Sequence, residues 1–316
     1  MSKMVPSLHY LPGDRYCPHH ELQTVTAVPF VQIDPTQHVH LEGLAFDRKG
    51  DMYCTNIYDG ILFKIDMKTK QVSEFYNFEE KGFSPVAIKF HKDGRIFVCG
   101  TDMQSEPLGV HGGIYILDAD GSNPEKIIDH WNVDDMVFDS NGGFYFTSYL
   151  GNPQTREGSV QYVSPDYSTL TPVVEGLAAP NGIALSSDGT ILWVTETAAG
   201  YLHRINLERP FHNTTPYKFE GFYGPDSCEI DADDNLYVAM ARQGRVLIFN
   251  PYGFLIGQVI TPGCEDGKLL GTTHATVRPG EKMLYFTAHD VTCDCGANIL
   301  CVGSYSEGNK TGFQFQ

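Results

Sequence analysis

Residues 180–196, PNGIALSSDGTILWVTE, read as two apolar strands joined by a tight polar turn. Ile183, Ala184 and Leu185 belong to the first strand and Ile191 to Val194 to the second. Between them, Asp188 and Gly189 tolerate the backbone that a short hairpin demands. The unit recurs as LEGLAFDRKGDMYCTN (41–56), SPVAIKFHKDGRIFVCG (84–100), DDMVFDSNGGFYFTS (134–148), PDSCEIDADDNLYVAM (225–240) and a looser THATVRPGEKMLYFTA (273–288). Its turns carry Gly50, Gly94, Gly142, Gly189 and Gly280, with Asp234 in the fifth copy.

After each hairpin a third strand is expected behind a glycine: GILFKID, GGIYILD, GSVQYVS, GYLHRIN, GRVLIFN and, after Gly296, NILCVG. A fourth is weaker: VSEFYNF, EKIID, TPVVEG, PYKFEG, LIGQVI and the terminal GFQFQ. Four strands in six copies predict an all-β, six-bladed β-propeller, with four-stranded antiparallel blades around a central channel. A β-solenoid would use shorter rungs. Residues 1–21 read as an irregular leader and 22–316 as a single domain. The stretch LQTVTAVPFVQI (22–33) reads as extended. Pairing of Leu22–Ala27 with the last blade is expected to close the ring through its N- and C-terminal strands and leave no wide edge.

The bulk composition agrees with strands and turns. Aromatic residues make up 12% of the chain, and 32 glycines supply turns. The formal net charge of -17 argues against nucleic acid or an anionic membrane as partner, because both reward a basic patch. No stretch has the length of a signal-peptide core or a membrane span. Cys54 and Cys99 sit inside apolar runs, so the eight cysteines are expected to be mostly reduced, in a cytoplasmic protein.

One position within the repeat collects oxygen-bearing side chains. It holds Glu42, Asp134, Asn181 and Asp226, with Val86 and Thr273 in the other two copies. Intervals of 44, 48, 47, 45 and 47 residues separate positions 42, 86, 134, 181, 226 and 273. In a propeller the first strand of each blade lines the channel, so these residues are expected to face one another at one mouth. Crowded carboxylates repel unless a cation or protons neutralise them. An all-oxygen set with a neutral amide suits calcium, which takes 6–8 oxygens; magnesium would keep more water. Any one of these residues alone reads as a strand-start or turn former. His38, His40 and Glu42 alternate as strand neighbours, and Cys17-Pro18-His19-His20 and Cys293-Asp294-Cys295 also hold metal-type side chains, but none has the paired spacing of a structural zinc site. The loops 102–112, 147–157, 208–216 and 261–272 are expected at the mouth, where they would set the substrate.

The stretches LEGLAFDRKG, DDMVFDSNGGFYFT, NGIALSSDG and GPDSCEIDADDNLYVAM, with QGRVLIFN and the ending FQFQ, resemble the gluconolactonase and senescence-marker-protein family of six-bladed propellers. Within it, the chain is most similar to the drug-responsive, calcium-dependent lactonases of bacteria. The resemblance runs from about Leu22 to Gln316. It implies a hydrolase of lactones, with calcium held by Glu42, Asp134, Asn181, Asp226 and Ser227 and with Asp226 as the acid–base residue. Ions such as Mg2+, Mn2+ or Zn2+ are alternatives to Ca2+. The resemblance also implies a second calcium near GGIY, but DMQSEPLGVHGG and IIDHWNVDD depart from that pattern, so no second ion is assigned. His274 reads either as a substrate contact or proton relay at the mouth, or as a turn residue. The partner expected is a small ester or lactone. Alternatives are another ester, a phosphotriester or a biosynthetic intermediate at the same site, or a calcium-binding propeller without catalysis. No nucleophile elbow or phosphate-binding loop competes with this reading.

Overall fold

A computed structural model describes residues 5–9, 22–33, 39–78, 82–102, 111–221, 223–290, 297–310, 312 and 315. Among the described residues, twenty-five strands form six sheets arranged as a ring. Blade one comprises β3 (Leu41–Phe46), β4 (Met52–Asn56), β5 (Ile61–Ile65) and β6 (Val72–Asn77). Blade two comprises β7 (Ser84–Phe90), β8 (Ile96–Thr101), β9 (Gly113–Leu117) and β10 (Glu125–Asp129). Blade three runs β11 (Val133–Phe138), β12 (Phe144–Ser148), β13 (Gly158–Val163) and β14 (Leu170–Leu177). Blade four runs β15 (Pro180–Leu185), β16 (Ile191–Glu196), β17 (Tyr201–Asn206) and β18 (Thr214–Lys218). Blade five holds β19 (Pro225–Ile230), β20 (Leu236–Met240), β21 (Arg245–Phe249) and β22 (Leu255–Ile260). Blade six holds β23 (Ala275–Val277), β24 (Met283–His289) and β25 (Ala297–Gly303). The protein is a six-bladed β-propeller, with no α-helix among the described residues.

The hairpin glycines behave as their positions require. Gly50, Gly94, Gly142, Gly189 and Gly280 all have positive φ, and Asp234 takes the same left-handed region at φ 59°. Each inner strand touches the next, β3 to β7, β11, β15, β19, β23 and back to β3, which closes the channel. The second strands are buried along their whole length in β4, β8, β16 and β20. Six apolar clusters fill the six clefts between neighbouring blades. No blade therefore has a core of its own, and burial of apolar area is achieved only by the ring as a whole.

The closure differs from the sequence expectation. β1 (Gln23–Thr26) pairs parallel with β22, on the outside of blade five. β2 (Val28–Gln32) supplies the fourth strand of blade six, antiparallel to β25. The chain crosses between the two blades at Ala27, which is buried in the cluster joining them. The stretch is extended as expected, but one run of sequence serves two sheets. GFQFQ, expected as that fourth strand, falls largely outside the described residues; the position it would occupy is taken by β2. Ser7 also bridges Gly303, and Leu8 is buried in the same cluster as Ala27.

Among the described residues no helix is long and apolar enough to cross a membrane. Cys54, Cys99, Cys228, Cys264 and Cys301 are free thiols, while Cys17, Cys293 and Cys295 lie outside the described residues.

Because β2 completes a blade, deleting residues 1–33 should expose the edge of β25 and abolish a single cooperative unfolding transition. Thermal denaturation with light scattering checks this; an unchanged monomeric transition would show that the ring closes without β2.

Candidate active site

The slot residues enter on the first strands of different blades and reach the same mouth. Glu42 lies on β3, Asp134 on β11, Asn181 on β15 and Asp226 on β19. Thr273 immediately precedes β23, and Val86 occupies the place on β7. A feature unseen in the sequence aims them. Five inner strands break register at the slot, between Glu42 and Ala45, Pro85 and Ala87, Val133 and Met136, Pro180 and Ile183, and Pro225 and Cys228. A bulge bends the strand and redirects a side chain. Here it turns the slot residue out of the pleat toward the channel.

Buried hydroxyls tie three blades to the next at the level of the slot. Thr147 Oγ1 donates to the Asn181 carbonyl at 2.6 Å and accepts from the Asp135 amide at 3.1 Å. Thr195 Oγ1 donates to the Asp226 carbonyl at 2.7 Å and accepts from the Gly182 amide at 2.8 Å. Thr273 Oγ1 donates to the Leu41 carbonyl at 2.7 Å. Backbones pass so close that a Cβ on Gly182 would lie 2.4 Å from the Cys228 nitrogen, so only glycine fits after Asn181.

The result is a buried acidic mouth. Glu42, Asn181 and Asp226 are each less than a tenth exposed, and Ser227 is 1% exposed. Burial, then repulsion from Asp226, Asp134 and Asp135, holds the Glu42 carboxyl well above its ordinary range. Burial and the charges of Asp226 and Asp135 do the same to Asp134. Burial pushes Asp226 up to about 7, against hydrogen bonds from the Asn181 side chain and the Ser227 amide. Glu42 Oε2 and Asn181 Oδ1 are buried with no hydrogen-bond partner. Buried acceptors of this kind call for a donor, a water or an ion.

Among the described residues, no three His, Cys, Asp or Glu side chains make a ready-formed metal cage. The convergent set is instead mixed, with carboxylates, the Asn181 amide and the Ser227 hydroxyl. Oxygen donors from four blades, two of them unsatisfied, fit a hard divalent cation of the calcium type.

Other expectations fall as follows. His274 is 1% exposed, with Nδ1 3.9 Å from Glu42 Oε2 and neither ring nitrogen hydrogen-bonded. Burial holds its pKa well below the usual value. His40 Nε2 stands 4.0 Å from Glu42 Oε1, while His38, His19 and His20 are outside the described residues. Asp129 is paired with Lys126. The loop expected at the mouth from 208–216 lies at the other end. β17 pairs with β16 so that Asn206 meets Ile191, the end remote from Pro180 and Asn181. The strand count was right, but the direction of each strand decides which face a loop joins.

Two contributors were missed. Lys89 Nζ bonds Asp135 Oδ1 at 3.1 Å, and Asp135 is fully buried beside Asp134. A lysine inside VAIKF was the available signal. Tyr149 is the other; burial and the charges of nearby Asp134, Asp226 and Glu42 raise its hydroxyl pKa. Its loop is anchored through Glu196, which accepts from Arg156 at 2.8 Å, from the Ala178 amide at 2.7 Å and pairs with His203 Nε2 at 2.7 Å.

A propeller with an oxygen-lined, acidic mouth defines the class. The chain belongs to the SMP-30/gluconolactonase/LRE-like family, whose model matches residues 42–288. It is 45% identical over 307 residues to lactonase drp35 of Staphylococcus aureus, covering 94% of this chain and 92% of that protein. Its fold is similar to a calcium-binding protein, regucalcin, from Agrobacterium tumefaciens (TM-score 0.68, 17% identity, 90% of this chain and 98% of that one). It is also similar to a gluconolactonase of Xanthomonas campestris (TM-score 0.66, 16% identity, 89% of this chain and 98% of that one).

Two outcomes test this geometry. The Asp226 carboxyl has a folded pKa near 7 against about 4 in an unfolded chain, so the folded state holds the extra proton between those values. Stability of the metal-free protein should therefore fall as pH rises through that window, and Asp226→Asn should flatten the fall. Urea midpoints in chelator near pH 5 and near pH 8 measure it; equal slopes in both proteins would refute the assignment. Thr195→Val leaves the Asp226 carbonyl and Gly182 amide without their shared partner. It should cost about 1–3 kcal/mol in urea denaturation; no loss would show that these bonds do not hold the slot.

Proposed function

We propose that this protein is a calcium-dependent hydrolase that opens lactone rings. The observation that carries the proposal is the convergence of Glu42, Asp134, Asn181 and Asp226 from four blades on one mouth, with buried oxygens left unsatisfied. The substrate class comes from the relatives, which include the staphylococcal lactonase at 45% identity over most of both chains. Glu42, Asp134, Asn181, Asp226 and Ser227 would hold the cation. When bound, a divalent ion supplies Lewis-acid polarisation of an ester carbonyl.

The chain's own chemistry centres on Asp226. As the carboxylate it takes a proton from the attacking water, and as the acid it returns that proton to the alkoxide released when the ring C–O bond breaks. A group whose pKa lies near neutrality suits both directions of transfer. Charge on a bound cation lowers that pKa, while Glu42 and Asp134 oppose the lowering. Asn181 donates to Asp226 and fixes its orientation. His274, with Nδ1 3.9 Å from Glu42 Oε2, stands beside the slot as a proton relay or substrate contact. The free thiols Cys54, Cys99, Cys228 and Cys301 suit a reducing, cytoplasmic setting.

A second reading keeps the cation without turnover, prompted by the fold likeness to the calcium-binding regucalcin. The ring-opening assay separates them. Hydrolysis of dihydrocoumarin and aliphatic lactones should vanish with chelator and return with calcium more fully than with magnesium, manganese or zinc. Asp226→Asn should lower kcat by about 10²- to 10⁴-fold with the fold intact by circular dichroism. Stoichiometric calcium binding without turnover of any ester would favour the second reading.

A further inference from the structure

The channel has a second opening, and nothing above uses it. The C-terminal halves of all six inner strands enclose a cavity of ≈ 460 Å³ at the end remote from the slot. That is the size of a small-molecule site, where mostly apolar walls surround a few placed polar groups. Its walls include the partly exposed apolar side chains Ala45, Val137, Tyr145 and Leu185. One step deeper, the positions three residues beyond the slot form an inner ring, in which Lys89, Glu229 and Thr276 are polar and Ala45, Val137 and Ala184 are not.

The charges in this cavity select a sign. Among its described lining residues, Asp139, Asp188 and Glu229 are acidic and Lys89 is the single base. Lys89 is already committed to Asp135 at 3.1 Å, on the slot side of the ring. Asp139 and Asp188 lie at the rim, accepting from Tyr162 Oη at 2.8 Å and from Ser186 Oγ at 2.7 Å. Glu229 differs. Its partners are the Thr276 hydroxyl and the charge of Lys89. A carboxyl deep in the cavity, with further acidic groups nearer the rim, presents a negative potential along the path inward.

We infer that the opening opposite the slot is a second ligand site, which takes a small organic ammonium ion with a short aliphatic body. Its ammonium head is received by Glu229, and its hydrocarbon lies along Ala45, Val137 and Leu185. Asp139 and Asp188 draw the cation in from solvent. A carboxylate of the same size would meet three acidic groups and a lysine whose charge is already balanced. An uncharged alcohol would gain the apolar contact but not the charge-assisted bond.

The test uses the full chain with excess calcium, so that the acidic slot is occupied and does not compete for the probe. Hexylammonium, hexanoate and hexanol are titrated separately by isothermal calorimetry at low and moderate salt. The expected result is one hexylammonium site per chain, weakened by salt, with hexanol and hexanoate at least about tenfold weaker. Glu229→Gln should weaken hexylammonium about tenfold or more, whereas Asp226→Asn should leave this site unchanged. Val137→Phe fills the cavity without altering charge and should also remove binding. Urea denaturation of each variant confirms folding. Three results would overturn the inference: no saturable binding of hexylammonium, binding lost in Asp226→Asn but kept in Glu229→Gln, or preference for hexanoate.

Discussion

Buried like charges set the terms for this molecule. Glu42, Asp134, Asp135 and Asp226 share one end of a narrow channel, where Asp134, Asp135 and Asp226 raise the pKa of Glu42, and Asp135 and Asp226 that of Asp134. Leaving them ionised in a low-dielectric site is costly, and the cost grows as they approach. The ring must therefore be stable enough to hold them together. It does so with six apolar clefts between blades, none of which exists in a single blade. Closure by β2 matters for the same reason, because an open ring would let the acidic strands part.

The slot is positioned by backbone as much as by side chain. A bulge at each of five inner strands aims the residue, and threonine hydroxyls from the neighbouring strand hold the bulged carbonyls of Asn181 and Asp226. These hydroxyls are buried and bonded on both sides, so they fix distance without adding charge. The same device links blade six to blade one through Thr273. Glycine follows the slot at Gly43 and Gly182, where the next chain leaves no room for a Cβ.

Below the slot, Lys89 joins the two ends of the channel. Its ammonium bonds Asp135, next to Asp134, while its field reaches Glu229 in the remote cavity. A buried pair of this kind gives little net stability against an apolar alternative, but removing one partner strands the other. It thus separates two acidic regions that would otherwise merge into one field. The upper region holds unsatisfied oxygens suited to a cation; the lower one combines a carboxyl with an apolar wall.

Much of this was legible in the sequence, for a reason that repeats can explain. Strand alternation, turn chemistry and the slot are local patterns, and six copies in register let one alignment expose Glu42, Asp134, Asn181 and Asp226 together. What tertiary structure alone decided depends on pairs distant in the chain. One apolar run, residues 22–33, is divided between blades five and six because parallel pairing to β22 and antiparallel pairing to β25 are both available at the ring's seam. The loop after β17 faces away from the slot because strand direction, not spacing, assigns a loop to a face. Lys89 and Asp135, Tyr149 near the acidic cluster, and the pKa of Asp226 all arise from burial and charge across blades. Those quantities fall off with distance in space, and sequence spacing does not encode that distance.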